Sequence, residues 1–327
     1  MALASKASIT TPIFHLSLNS SRSTDKLWLP RYWLIWVGTG FGWLVARLPL
    51  RLLRWSGFRL GDLLFALRPS RARVAKRNID ACFPELNPAE RSELLRENLR
   101  ETGLAFFETL LVWFGNPMRL RKMMRIEGAE HLEPRDGRGV MVLGFHFNNI
   151  EMGTLLLAAN FPVVGVYRPH DNAAMEYLQT RGRLNNSFRL ASGLQAQLHD
   201  RADVRGIVRY LRGGRQVWIA ADQDLGRKRS LFAPFFGIPA ATATVTSKLA
   251  RMTGCAVVPV TFERLQDGGY LLRAEPPLDD FPGDSEQADC ERYNQLVETL
   301  VRRRPHAYMW VHKRFKTRPP GQPPFYS

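Results

Sequence analysis

Residues 139–153 read GVMVLGFHFNNIEMG. Val140 to Phe145 is an apolar run too short for a stable helix and too uniformly apolar for a half-exposed strand, so it predicts a strand buried on both faces. Asn148 onward starts a helical pattern. Three further runs have the same character: PVVGVY at 162–167, QVWIAA at 216–221 and CAVVPVTF at 255–262. Helix candidates separate them, at 149–159, 172–184, 203–212 and 243–253, the last stopped by Gly254. Strands alternating with helices predict an α/β fold with a mostly parallel central sheet flanked by helices. GYLLRAE at 269–275 reads as one more, edge-like strand after the Gly268-Gly269 turn, and a last helix is expected around 289–303 behind a solvated acidic patch.

Upstream lies a long helix from Asn87 to Trp113. Asn87 caps it, Pro88 occupies its first turn, and Glu90 completes a capping box. Farther upstream, Tyr32 to Ala46 (YWLIWVGTGFGWLVA) has no charge, yet its fifteen residues at about 1.5 Å each cover only about 22 Å of a roughly 30 Å hydrocarbon core. Trp28, Trp33, Trp36 and Trp43 suit a headgroup boundary. In the following RLPLRLLRWSGF, Arg47, Arg51 and Arg54 recur at helical spacing, a membrane-surface pattern. A tilted transmembrane anchor and an interfacial helix both fit residues 27–58, as does a helix packed under a soluble domain. Gly38-x-Gly40-x-Gly42 lies inside this segment and reads as small residues of a membrane helix. No small-residue cleavage site follows, which argues against a secretory leader. The Ser/Thr-rich residues 1–26 are expected to be a mobile tail, and residues 319–327 a proline-rich tail without helix.

The chain of 327 residues carries 46 Lys and Arg against 30 Asp and Glu, a formal charge of +16. Such a balance points to a polyanionic partner: nucleic acid, anionic membrane or an acidic carrier. Arg302 to Arg318 concentrates basic residues around Tyr308, Trp310 and Phe315 and reads as an anion-binding strip. The three cysteines are odd in number and far apart, which argues against a disulfide framework and for a reducing compartment. No phosphate loop, H-E-x-x-H, G-x-S-x-G or Cys-x-x-Cys is present, so a nucleotide enzyme, zinc protease or serine hydrolase is disfavoured, and neither a metal nor another cofactor is expected.

Chemistry gathers in three places. The first is His146 and Glu151. With the strand ending near His146 and Asn148 capping a helix, Glu151 becomes the third helical residue and turns back toward the histidine. A carboxylate on an imidazole makes a usable general base. Asn148-x-x-Glu151 is also a capping box that needs no function, and spacing leaves both readings open. The second is Arg168, which Pro169 leaves at the carboxyl rim of the sheet, where ligands of open α/β sheets bind. The third is Asp222-Gln223-Asp224-Leu225-Gly226-Arg227-Lys228-Arg229. Here Arg227, Lys228 and Arg229 can face phosphate while Asp222 and Asp224 orient them. The following LFAPFFGIP reads either as the wall of an acyl slot or as a covered core loop.

Taken in order, PRYWLIWVGTGFGWLVARLP, GFHFNNIEMG, GVYRP, the segment from ADQDLGRKRS to VVPV, and MWVHKRFKTRPPG resemble the late acyltransferases of lipid A biosynthesis, the lauroyl/myristoyl type, within the lysophospholipid and glycerol-3-phosphate acyltransferase superfamily. The resemblance implies an acyltransferase domain over 59–318, with His146 as base and Glu151 as its partner. It also implies that Arg168 and the loop Asp222 to Arg229 hold a phosphorylated acceptor, and that Pro259 lies in the last, proline-containing block. The implied donor is a fatty acyl thioester on acyl carrier protein, and the acceptor a Kdo-bearing lipid A precursor. The implied place is the inner membrane, among its lipids, with the site facing the cytoplasm and no nucleic-acid partner. Acyl transfer to a lysophospholipid or other glycolipid, and non-catalytic binding of anionic lipid or nucleic acid at the membrane, are the alternatives.

Overall fold

A computed structural model of the chain describes residues 27–134, 136–190 and 196–326. The tail expected over 1–26 lies outside the described residues. The chain opens with four helices, α1 (Trp33–Val45), α2 (Leu50–Leu67), α3 (Ser70–Cys82) and α4 (Pro88–Phe114), then the short α5 (Pro117–Arg121) and β1 (Met124–Glu127). The alternating part follows: β2 (Val140–Gly144), α6 (Ile150–Asn160), β3 (Val164–Tyr167), α7 (Ala173–Leu190), β4 (Gln197–Asp200), α8 (Val204–Arg212) and β5 (Gln216–Ala220). A hairpin of β6 (Ser230–Phe235) and β7 (Ile238–Ala243) precedes α9 (Val245–Thr253), β8 (Ala256–Arg264), β9 (Tyr270–Ala274) and α10 (Glu286–Arg303).

Seven strands form one sheet in the order β1-β9-β8-β2-β5-β3-β4. From β8 to β4 all neighbours are parallel; β9 runs antiparallel to β8 and pairs in parallel with β1. The strand expected at an edge is therefore covered on both sides. Successive residues of β2 feed opposite layers: Met141 and Leu143 join the core with α8, α9 and α10, while Val140 and Val142 join the one with α6. That two-sided burial is why the strand could be read from an unbroken apolar run.

The long helix forms as expected, with Asn87 Oδ1 accepting from Ala89 and Glu90 and Glu90 returning a bond to the Asn87 amide. α2 packs along α4 at glycines: a Cβ on Gly61 would lie 2.3 Å from Arg100 Cα, and one on Gly103 would lie 2.2 Å from the Gly57 carbonyl oxygen.

The N-terminal aromatic segment departs from one expectation. Arg47 ends the uncharged stretch, α1 has 13 residues, about 20 Å, and α2 starts afresh after Pro49. No helix among the described residues is long and apolar enough to cross a membrane, which leaves the expected transmembrane helix unsupported. Gly38 and Gly40 face open space rather than a partner helix. The proline-rich tail has no helix through Tyr326, but it is packed: the Tyr326 hydroxyl bonds Asn78 Oδ1, and the Phe325 and Phe315 rings lie 4.8 Å apart.

Candidate active site

β2 and β5 are neighbours in register, with Gly144 opposite Ala220. Two residues past each of these come His146 and Asp222, so two level strand ends bring the imidazole and the carboxylate together at the carboxyl rim. Gly144 is needed for that closeness, because a Cβ there would lie 2.3 Å from Trp218 Nε1. The contact is double. His146 Nδ1 lies 2.5 Å from Asp222 Oδ1, and the His146 amide donates to Asp222 Oδ2 at 2.9 Å.

Asp222 is buried, with its side chain 1% exposed, while that of His146 keeps 20%. Burial would raise the carboxyl, yet the charge and hydrogen bonds of His146, with help from Tyr308, hold it at about 2. An ionised carboxylate only accepts, so Nδ1 carries a proton, and in the neutral form of the ring the lone pair sits on Nε2. The arrangement is that of a general base with a fixed tautomer.

The C-terminal segment clamps this loop. Met309 N donates to the His146 carbonyl at 2.9 Å, Asn148 N donates to the Ala307 carbonyl at 2.8 Å, and Phe147 pairs with Tyr308 in an isolated antiparallel bridge. His312 stands nearby, its Nε2 taking a long 3.4 Å bond from the Asp224 amide. Burial, aided by the charge of His146, lowers His312 to about 4, so it is neutral near pH 7.

The other expected site residues take different places. Helix α6 starts one residue later than read, with Asn149 at the cap and no side-chain capping bond, so Asn148 and Glu151 form no capping box. Glu151 is the second helical residue and meets α7: Arg183 Nε donates to its Oε2 at 3.1 Å and Arg183 Nη2 to its Oε1. The carboxylate on the His146 ring is thus Asp222, not Glu151. Arg168 does stand on the rim, but its side chain is 61% exposed and bonds Asp171. Asp224 organises backbone, accepting from the amides of Gly226 and Thr317 and from the Thr317 hydroxyl. Neither aspartate orients the basic run. Arg227, Lys228 and Arg229 form an exposed 3-10 turn, with Arg227 Nη2 on the Arg318 carbonyl at 3.1 Å.

LFAPFFGIP, open to reading as an acyl-slot wall or as a covered loop, is part of the β6–β7 hairpin, turning at Phe236 and Gly237, both with positive φ; Phe235 is fully buried, while Leu231, Phe232 and Ile238 are half-buried. The basic-aromatic strip divides: Arg302, Arg303, Lys313 and Lys316 are exposed, while its rings turn inward. Trp310, Arg314 and Phe315 are buried, and Arg314 spends its guanidinium on the Ala241 carbonyl, Thr242 Oγ1 and Asn294 Oδ1. All three cysteines are free and buried, and burial pushes their thiols up, Cys290 to about 11. None of the three is poised as a thiolate nucleophile.

The sequence profile of the bacterial lipid A biosynthesis acyltransferases matches residues 21–317. The chain belongs to this family. Among curated relatives, the lipid A biosynthesis palmitoleoyltransferase of Escherichia coli K12 is 39% identical over 301 residues, 91% of this chain and 95% of that one. The lipid A biosynthesis lauroyltransferase of the same organism is 37% identical over 312 residues, 94% and 99% of the two chains. A lipid A biosynthesis acyltransferase of Haemophilus influenzae Rd is 36% identical over 300 residues, 90% and 94% of the two. The lipid A acyltransferase described here is an O-acyltransferase.

Proposed function

We propose that this lipid A acyltransferase moves a fatty acyl chain from acyl carrier protein to a hydroxyl of a Kdo-bearing lipid A precursor, with His146 as general base. One observation carries the mechanism: a buried, ionised Asp222 holds Nδ1–H of an imidazole whose ring remains partly open at the carboxyl rim of the sheet. Nε2 takes the proton of the acceptor hydroxyl as its oxygen attacks the thioester carbonyl. The tetrahedral intermediate collapses by breaking the C–S bond, and the imidazolium returns the proton to the departing thiolate. No acyl-enzyme is needed, since the buried, protonated cysteine thiols offer no activated nucleophile.

Exposed Arg168, Arg227, Lys228 and Arg229 are suited to the acceptor's phosphates, and the +16 charge suits both an acidic carrier and an anionic bilayer. We place the protein at the cytoplasmic face of the inner membrane, seated through α1 and α2. Trp33, Leu34, Val37, Phe41 and Leu44 are exposed on α1, and Trp55 and Phe58 on α2. Arg47 covers the Trp43 ring at 3.2 Å from its centroid. This mixture supports an interfacial seat. The test is transfer from a ladder of acyl carrier protein thioesters to the Kdo-bearing precursor, with a lysophospholipid as competing acceptor. Wild type should acylate the former; transfer to the lysophospholipid alone would refute the acceptor assignment.

A further inference from the structure

Asp222 serves His146 with both oxygens, so its own orientation has to be fixed from a third direction. The Tyr308 hydroxyl donates to Asp222 Oδ2 at 3.1 Å, the oxygen that also accepts the His146 amide. We propose that Tyr308 is a positioning residue of the transfer reaction: its hydroxyl locks Asp222 in the rotamer that grips the His146 ring and backbone together. The inference rests on His146 being the base.

Tyr308 is well placed to anchor something else because it is itself immobilised. Its ring is buried and packs on Phe147, Phe235 and Trp310, with centroids 5.7, 6.3 and 4.9 Å away. Its carbonyl accepts from Asn98 Nδ2 of α4 at 2.6 Å, and the same amide group reaches the His306 carbonyl at 2.7 Å. Helix α4, the C-terminal segment and the loop after β5 therefore meet at one residue. Burial keeps the phenol protonated well above the usual tyrosine range, so toward a carboxylate it acts as a donor. The other charged or titratable groups around Asp222 are His146 on the loop after β2, Tyr293 on α10, and His312 and Arg314 on the C-terminal segment. Arg314 points its guanidinium at neutral acceptors. Of these groups, Tyr308 and His146 donate hydrogen bonds to the carboxylate.

The sign of the effect follows. The Tyr308 O–H stabilises negative charge on Asp222. Without it the carboxylate attracts the Nδ1 proton more strongly, which favours imidazolium over the free base, and it also gains freedom to rotate. Tyr308→Phe keeps the ring packing and removes the donor alone. It should lower kcat by about ten-fold, leave KM for donor and acceptor unchanged, and move the acid limb of kcat/KM upward by about half a pH unit. Melting temperature serves as the control for folding. In an Asp222→Asn background the same substitution should change kcat by less than about two-fold, because the group it acts through is gone.

An unmoved acid limb and unchanged kcat in a folded Tyr308→Phe enzyme, with His146→Ala inactive, would overturn the role of Tyr308 and leave the base in place. An equal loss in the Asp222→Asn background would overturn it as well, since the effect would then be structural. Turnover by His146→Ala would instead remove the base reading on which the inference stands.

Discussion

At the scale of single residues, the sequence displayed both members of the pair and hid their partnership. His146 and Asp222 each follow a buried apolar run, but the register that sets Gly144 opposite Ala220 is a property of the sheet. Glu151, five residues from His146, was the nearer candidate along the chain. The later start of α6 turns it instead toward Arg183, a residue with no local signal in the sequence. The resulting ion pair is mostly buried, with side chains 26% and 16% exposed. Glu151→Ala should therefore lower stability by about 2 kcal/mol, measured by urea unfolding, together with any loss of activity. Unchanged stability with a shifted acid limb of kcat/KM would mean that Glu151 acts on the imidazole after all.

Among elements, the parallel strands and their covering helices were legible because two-sided burial leaves continuous apolar runs and caps mark helix ends. β1 and β4 were not legible. Each has four residues and carries charge, as MRIE and QLHD, since short edge strands bury little. The basic-aromatic strip divides for another reason: its rings and Arg314 turn into the core, where backbone and side-chain oxygens satisfy the guanidinium, while Arg302, Arg303, Lys313 and Lys316 stay exposed. Glycine spacing was similarly ambiguous. Gly38 and Gly40 face open space, while Gly61 and Gly103 lie where α2 and α4 touch backbone to backbone. Gly103→Ala should cost about 3 kcal/mol by forcing the helices apart. Gly38→Ala should be neutral or stabilise by up to about 1 kcal/mol. Thermal melts of the two variants decide the matter, and equal melting temperatures would contradict the tight crossing.

For the whole molecule, the +16 charge and the exposed apolar residues of α1 belong to one account of where the enzyme works. The sequence showed the aromatic-basic composition of this face, but only the packing shows which rings stay outside: Leu34 is 87% exposed and Val37 70%, while Tyr32 and Val45 are buried. Cosedimentation with vesicles containing anionic lipid should fall at least ten-fold in a Leu34→Ser, Val37→Ser, Phe41→Ser variant of normal melting temperature, since each buried side chain contributes roughly 1.5–3 kcal/mol. Undiminished binding would place the seat elsewhere. The central claim is that a His146–Asp222 base drives direct transfer between two substrates. Its most direct test is the rate of acyl transfer from acyl carrier protein to the Kdo-bearing precursor by wild type, His146→Ala and Asp222→Asn, each confirmed folded. Both variants should lose about 10³-fold or more in kcat, with no acyl-enzyme trapped in any of the three; near-wild-type turnover by either folded variant would contradict the account.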